Sequence, residues 1–238
     1  MIELNKIYNC DCRDLMKEII VGGEQVDCII TDPPYLMQYA TNYRKDKQCK
    51  FSSVIIGDND ENLIKEYIKL CYDILKDNSA FYCFCSSSKI DIFKQEIEKY
   101  FTIKNIIVWV KNNWTAGDLK AQLAKQYEFC IYANKGRKLF CRGKRLSDVW
   151  FFDRVSSDKL IHQNQKPIPL IEQMIELSTN KGDIVFDGFM GSCTTAVACH
   201  RLGRKFIGCE LDKEYYEIGV RRLEQEKNQI NLFEMLDE

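Results

Sequence analysis

Nowhere does this 238-residue chain carry an apolar run of the 18 or so residues that a membrane-spanning helix requires. Its first residues, Met1 to Lys6, have neither the basic start nor the apolar stretch of a signal peptide. A cytoplasmic protein is therefore expected. Histidine is confined to His162 and His200, which argues against histidine-rich metal catalysis. Four prolines and 12 glycines leave little material for long flexible linkers. None of the 12 cysteines forms a CxxC pair. The close pairs, Cys10/Cys12 and Cys83/Cys85, have the spacing that puts both thiols on one face of a strand. Buried, inert thiols in a reducing compartment are the expectation, and no residue is assigned to a metal. The chain has no internal repeat and no low-complexity tract. It lacks both GxGxxG and the GxxxxGK[ST] phosphate loop, which weakens nicotinamide and ATP readings.

Hydrophobic residues make up 45% and charged residues 29%, ordinary values for one soluble domain. Net charge is −1, so the overall balance does not point to nucleic acid. The distribution does. Between Lys111 and Lys166 stand twelve Lys/Arg and five Asp/Glu, and the rest of the chain is correspondingly acidic. Such asymmetry suits an anionic partner, although a solvated basic face would look the same.

Apolar strands alternate with amphipathic helices. Strands are expected at Val26–Ile30, Ser79–Cys85, Ile103–Val110, Tyr127–Ala133, Ile184–Asp187 and Lys205–Glu210. Helical spacing covers Glu61–Leu75, Ser88–Tyr100, Pro167–Thr179, Ser192–Leu202 and a stretch from Asp212. The tail from Asn228 is expected to be frayed or weakly docked. This rhythm predicts an α/β fold with a doubly wound, mostly parallel sheet. Residues 36–60, 112–126 and 137–165 interrupt it.

Three constellations carry chemistry. Thr31-Asp32-Pro33-Pro34-Tyr35 ends an apolar strand, the place where doubly wound sheets bind ligands. Two prolines fix the backbone, so that a carboxylate and a carbonyl can accept both hydrogens of one NH₂ group. Tyr35 can then stack on a planar ring. A Pro-Pro turn closing the strand is the structural alternative. The second constellation is Asp187-Gly188-Phe189-Met190-Gly191-Ser192-Cys193-Thr194-Thr195, where a strand ends in an acid and glycines open a helix. Glu210 closes the next strand, where an acid suits the hydroxyls of a ribose. The third, His162-Gln163-Asn164-Gln165-Lys166-Pro167, reads alone as a helix start with proline in the first turn.

Together these motifs resemble the amino-group DNA methyltransferases that use S-adenosyl-L-methionine. Asp32-Pro33-Pro34-Tyr35 is similar to the catalytic motif of the N6-adenine enzymes, Asp187–Thr195 to the family's cofactor loop, and His162–Pro167 to its HPTQKP-like motif. Asn9-Cys10-Asp11-Cys12 and Trp109-Val110-Lys111-Asn112 also fit family positions. The catalytic motif precedes the cofactor loop, the permuted order of the beta group. The resemblance runs from about residue 5 to 225.

It implies a Rossmann-like fold of class I methyltransferase type in a single domain over residues 1–238. Loops are inserted at about 36–60 and 112–126, with a small basic target-recognition region at about 137–162. It implies methyl transfer to adenine N6 in double-stranded DNA, directly onto a flipped-out base. Asp32, Pro33, Pro34 and Tyr35 are the implied catalytic residues. Asp11, Cys12, Asp32, Lys166, Asp187, Phe189, Gly191, Ser192, Thr194 and Glu210 are the implied cofactor contacts. The basic and aromatic residues Tyr39, Tyr43, Arg44, Lys45, Lys111, Arg137, Lys138, Arg142, Lys144 and Arg145 are candidates for DNA. A second copy of the chain and a cognate restriction endonuclease are the protein partners to consider. N4-cytosine is the alternative target, and an RNA or protein substrate, or a non-catalytic binding module, are the readings from other classes. Two features depart from the family. Cys193 stands where the loop usually has glycine, and the stretch between Gly136 and His162 is short for reading a long DNA site.

Overall fold

A computed structural model describes residues 2–36, 60–114, 120–143, 145–156, 160 and 165–236, with backbone alone from 230 onward. Among these residues eight strands form one sheet: β1 (Lys6–Tyr8), β2 (Val26–Thr31), β3 (Leu75–Cys85), β4 (Thr102–Val110), β5 (Tyr127–Lys135), β6 (Val149–Phe151), β7 (Ile184–Asp187) and β8 (Lys205–Cys209). Their order is β1-β8-β7-β2-β3-β5-β4-β6. Among the described residues six helices cover it: α1 (Cys12–Gly22), α2 (Glu61–Ile74), α3 (Ile90–Glu98), α4 (Ile168–Ser178), α5 (Thr194–Arg201) and α6 (Lys213–Leu236).

Strand alternation divides the core into two faces. Val26, Ile29, Phe81, Cys83, Ile131, Phe186 and Ile207 point into a layer with α1, α2 and α3. Cys28, Ile30, Tyr82, Phe84, Trp109, Val185 and Phe206 point into a layer with α4, α5 and Leu223 of α6. The eleven strands and helices expected from periodicity are all present. Added to them are β1, α1 and β6. Helix α1 follows ordinary rules: Asp11 caps it through Arg13 N–H, Leu15, Met16 and Ile19 are its buried stripe, and Gly23 at φ 73° ends it. Its presence corrects one strand-based expectation, because Cys12 opens a helix and Cys10 precedes it. Cys83 and Cys85 do share a face of β3, both buried. No helix among the described residues is long and apolar enough to cross a membrane.

The sheet departs from parallel at one strand. β5 runs antiparallel to both β3 and β4, so its first residues lie at the carboxyl edge of its neighbours and its last residues at their amino edge. β6 returns parallel to β4.

Candidate active site

Four acidic residues follow four adjacent strands at the carboxyl edge. Asp11 lies beyond β1, Glu210 beyond β8, Asp187 at the end of β7 and Asp32 beyond β2. The pairings Ile29↔Phe186 and Phe186↔Ile207 place the Asp32 turn beside the Asp187 turn, and that beside Glu210. This is the edge at which parallel α/β sheets bind ligands.

The turn after β7 is built around buried carboxylates. Asp187 accepts from Phe189 N–H at 3.0 Å and from Thr195 hydroxyl at 2.7 Å. Burial nevertheless pushes its carboxyl up to about 7. Glu210 accepts from Gly191 N–H at 2.7 Å and Asp212 N–H at 2.9 Å. Burial raises it too, more than these two donors lower it. A carboxylate offers about four lone-pair positions, so two are left for the adjacent hydroxyls of a sugar. Gly188 lets Tyr67 come close: a Cβ there would lie 2.6 Å from the Tyr67 ring. Tyr67 in turn bonds Thr31 hydroxyl at 2.7 Å and meets Phe189 edge-on at 4.9 Å, which ties the two turns together.

Cys193 sits at φ 59°, the left-handed region that favours glycine, at the N-cap of α5. Its buried thiol is accommodated by Gly219 of α6, where a Cβ would lie 2.1 Å from the sulfur. Crowding expected inside the loop is therefore relieved by a glycine outside it. Arg222, also on α6, donates to Ser192 carbonyl at 2.7 Å, Thr194 hydroxyl at 3.1 Å and Ser192 hydroxyl at 3.3 Å. Ser192 and Thr194 thus brace the loop through α6. Asp11 is held by Arg13, which donates from Nη2 at 2.7 Å and Nε at 3.0 Å and keeps its carboxyl below the ordinary value. Cys12 is buried beside it, its thiol pushed well up by desolvation.

The turn after β2 carries a denser charge cluster. Lys166 Nζ donates to Asp32 Oδ2 at 2.5 Å and lies 3.2 Å from Glu128 Oε2. Tyr35 hydroxyl donates to Asp32 Oδ1 at 2.5 Å. Lys111, from the end of β4, pairs with the other oxygen of Glu128. Burial, helped by the neighbouring Glu128 charge, raises the Asp32 carboxyl above its usual range in spite of Lys166 and Tyr35. Burial works the same way on Glu128, but Lys166 and Lys111 outweigh it and hold that carboxyl down at about 2. On Lys166 burial opposes the charge, and Asp32 and Glu128 overcome it, so the ammonium stays protonated. Lys166 was expected to reach the cofactor. Its side chain instead meets the catalytic turn, and only its backbone carbonyl joins the loop, accepting from Thr194 hydroxyl at 3.3 Å.

The structure separates the basic candidates. Arg137 and Lys138 follow the last residues of β5, where Arg137 N–H donates to Asn78 at the amino edge. Arg142 pairs with Glu176 near the end of α4, and Cys141 bonds Leu177 there. Arg145 lies in the crossover between these residues and β6. The antiparallel course of β5 thus carries Arg137, Lys138 and Arg142 to the end of the sheet opposite Asp32, away from the catalytic turn. Lys111 is at the correct edge but is committed to Glu128. Tyr39, Tyr43, Arg44, Lys45, Lys144 and His162 to Asn164 lie outside the described residues. Sequence reasoning missed Glu128, Arg222 and Tyr67. Glu128 had a signal, a lone acid at the head of an apolar strand, whereas Arg222 on a charge-rich helix had none.

Residues 26–221 match the family described as DNA methylase, of N6/N4 type. The chain belongs to the DNA methylase family. Among the methylase's relatives, the type II methyltransferase M.HpaI of Haemophilus parainfluenzae is 31% identical, over 90% of this chain and 72% of that protein. The DNA adenine methyltransferase YhdJ of Escherichia coli K12 is 30% identical, over 93% of this chain and 83% of that protein. The crystal structure of M1.HpyAVI in complex with SAM superposes with a TM-score of 0.73 at 31% identity, covering 92% of this chain and 98% of that one. The fold of the methylase is that of class I methyltransferases.

Proposed function

We propose that the methylase transfers a methyl group from S-adenosyl-L-methionine to the N6 amine of adenine in double-stranded DNA, at a specific site and on a flipped-out base. The observation that carries this reading is the adjacency of two turns on hydrogen-bonded strands: the Asp32-Pro33-Pro34-Tyr35 turn after β2 and the Asp187–Thr195 turn after β7. An amine acceptor and a cradle for its methyl donor thus share one edge.

The donor set fits the cofactor. Asp187 and the glycine turn before α5 face its polar groups, Phe189 offers an apolar wall, and Glu210 suits its ribose hydroxyls. Asp11 and Cys12, one strand further, would flank its adenine end. When bound, the cofactor supplies an electrophilic methyl on a positively charged sulfur. The chain's own residues prepare the nucleophile. An exocyclic amine is weakly nucleophilic because its lone pair is delocalised into the ring. The Asp32 carboxylate and the Pro33 carbonyl would accept its two hydrogens and favour a pyramidal nitrogen. Pro34 holds that carbonyl in place, and Tyr35 stacks on the base, a contact worth about 1–3 kcal/mol. The site works by positioning and by stabilising the positive charge that develops on nitrogen. The buried cysteines, whose thiols burial holds protonated, take no part.

The chain acts as one domain in the cytoplasm, and its DNA-facing surface is the carboxyl edge. There Lys120 and Lys125 stand between β4 and β5, and Arg154 follows β6. A cognate endonuclease and a second copy of the chain are the partners to seek by co-purification and light scattering. The deciding experiment incubates purified protein with unmethylated genomic DNA and labelled cofactor, then analyses nucleosides by mass spectrometry. N6-methyladenine is expected. N4-methylcytosine without it would reject adenine, and no transfer at all would reject the activity.

A further inference from the structure

Each oxygen of the Asp32 carboxylate already holds one donor. Tyr35 hydroxyl holds Oδ1 and Lys166 Nζ holds Oδ2, each at 2.5 Å. The Lys166 ammonium is a nitrogen donor set against the catalytic carboxylate, 4.8 Å from the Phe84 ring centroid and 5.7 Å from that of Tyr35. A target amine needs the same surroundings, a carboxylate to accept its hydrogen and an aromatic face beside it. Lys166 is only 7% exposed, so it is no loosely held surface charge. It is already ion-paired with a second carboxylate, Glu128 Oε2 at 3.2 Å. Glu128 stands at this edge solely because β5 runs against its neighbours. Its other oxygen is occupied by Lys111, which leaves Oε2 for Lys166.

We propose that Lys166 fills the amine position on Asp32 in the base-free enzyme, and that Glu128 holds it when the target base enters. The inference rests on Asp32 being the amine acceptor. No covalent bond changes and no proton moves: Lys166 remains an ammonium, releases Asp32 and keeps Glu128. The cluster keeps two carboxylates and two ammonium groups throughout, so its net charge is unchanged by the arriving neutral base, whose amine takes over the hydrogen bond that the ammonium gave Asp32. Both residues are positioning residues, acting through Asp32. The arrangement also discriminates between bases. A base that presents a carbonyl oxygen where the amine should lie, as thymine does with O4, offers Asp32 no hydrogen there and cannot compensate that carboxylate for the lost ammonium, so it is disfavoured.

Without Glu128 the ammonium has one carboxylate left and stays on Asp32, so the amine position is open for a smaller fraction of the time. Apparent affinity falls by that fraction. The test measures labelled methyl transfer to unmethylated genomic DNA by wild type, Glu128→Gln, Lys166→Met and the double variant, each at its own pH optimum. Circular dichroism and cofactor calorimetry serve as folding controls. Glu128→Gln is expected to raise KM for DNA about tenfold, with kcat changed by less than about threefold. Adding Lys166→Met to it should bring KM back to within about threefold of wild type, because the competitor is gone. A double variant as impaired as Glu128→Gln, or an unchanged KM in Glu128→Gln, overturns the exchange and shows Glu128 to be structural. Should Glu128→Gln fail to fold, Lys166→Met alone decides: a KM at or below wild type supports the proposal, and a tenfold rise overturns it. Absence of transfer by the wild-type protein would instead overturn the activity itself.

Discussion

Replacing Gly219 by alanine tests how the cofactor loop tolerates Cys193. Gly219 lies inside α6, where alanine is ordinarily better than glycine by about 1 kcal/mol. Here the added methyl would stand 2.1 Å from Cys193 sulfur, 3.2 Å from Cys193 Cβ and 3.3 Å from Gly191 carbonyl oxygen. Turning the thiol away relieves only the first of these. Overpacking of this kind costs about 1–3 kcal/mol. The expected net effect is therefore a loss of up to about 2 kcal/mol, where helix propensity alone predicts a gain. In a Cys193→Gly background the sulfur and Cβ are gone, and the same substitution should be stabilising by about 1 kcal/mol. Cys193→Gly itself should be nearly neutral. Release of the left-handed conformation, about 1 kcal/mol, is offset by the more flexible glycine chain and the lost thiol packing. Urea unfolding of the four proteins gives a coupling energy, expected at about 1–3 kcal/mol. In thermal unfolding each kcal/mol should appear as a shift of about 2–4 °C for a chain this long. A stabilising Gly219→Ala in the wild-type background, with no coupling to Cys193, would refute the packing account.

Asp32→Ala should lower transfer by about a hundredfold or more while leaving cofactor affinity close to wild type, read by turnover and calorimetry. Near-normal turnover would remove Asp32 from the mechanism. Asp187→Asn should change the pH dependence of stability. The buried Asp187 carboxyl is raised to about 7 in the folded protein, so the folded state binds the extra proton between the ordinary carboxylate range and about 7. Stability falls as pH rises through that window, by at most about 1.4 kcal/mol per unit, and the variant lacks this slope. Melting curves should show the variant gaining on wild type from pH 4 to pH 7, and parallel curves would contradict the assignment. The DNA-facing edge predicts that Lys120→Ala, Lys125→Ala or Arg154→Ala reduces the salt dependence of DNA binding by about one unit of log–log slope each. Arg137→Ala and Arg142→Ala should leave it unchanged. Fluorescence anisotropy at several salt concentrations measures both.

Periodicity made most of the fold legible, because the buried strands are apolar throughout and the helices carry clean stripes such as Leu63, Ile64, Tyr67, Ile68 and Cys71. β1 and β6, each of three residues, are too short to show a period. α1 was readable in principle, since Asp11, the Leu15-Met16-Ile19 stripe and Gly23 mark its start, face and end. The acids Asp32, Asp187 and Glu210 were visible because each ends an apolar strand. Glu128 begins its strand, and only the antiparallel direction of β5 makes a strand's beginning part of the site. The same reversal misled the reading of charge. A net basic stretch is a property of composition, and composition does not say which end of a sheet a residue occupies. Arg137 and Lys125 are only 12 positions apart, yet β5 separates them by its full length.

The reversed strand also limits where such a protein can grow. Sequence added directly after β5 emerges at the amino edge of the sheet, the far side from the catalytic turn. The ends of β4 and β6 and the start of β5 lie at the same edge of the sheet as the catalytic turn. A longer or more selective recognition site would thus be gained by insertion at one of these two doorways, leaving the sheet beneath undisturbed.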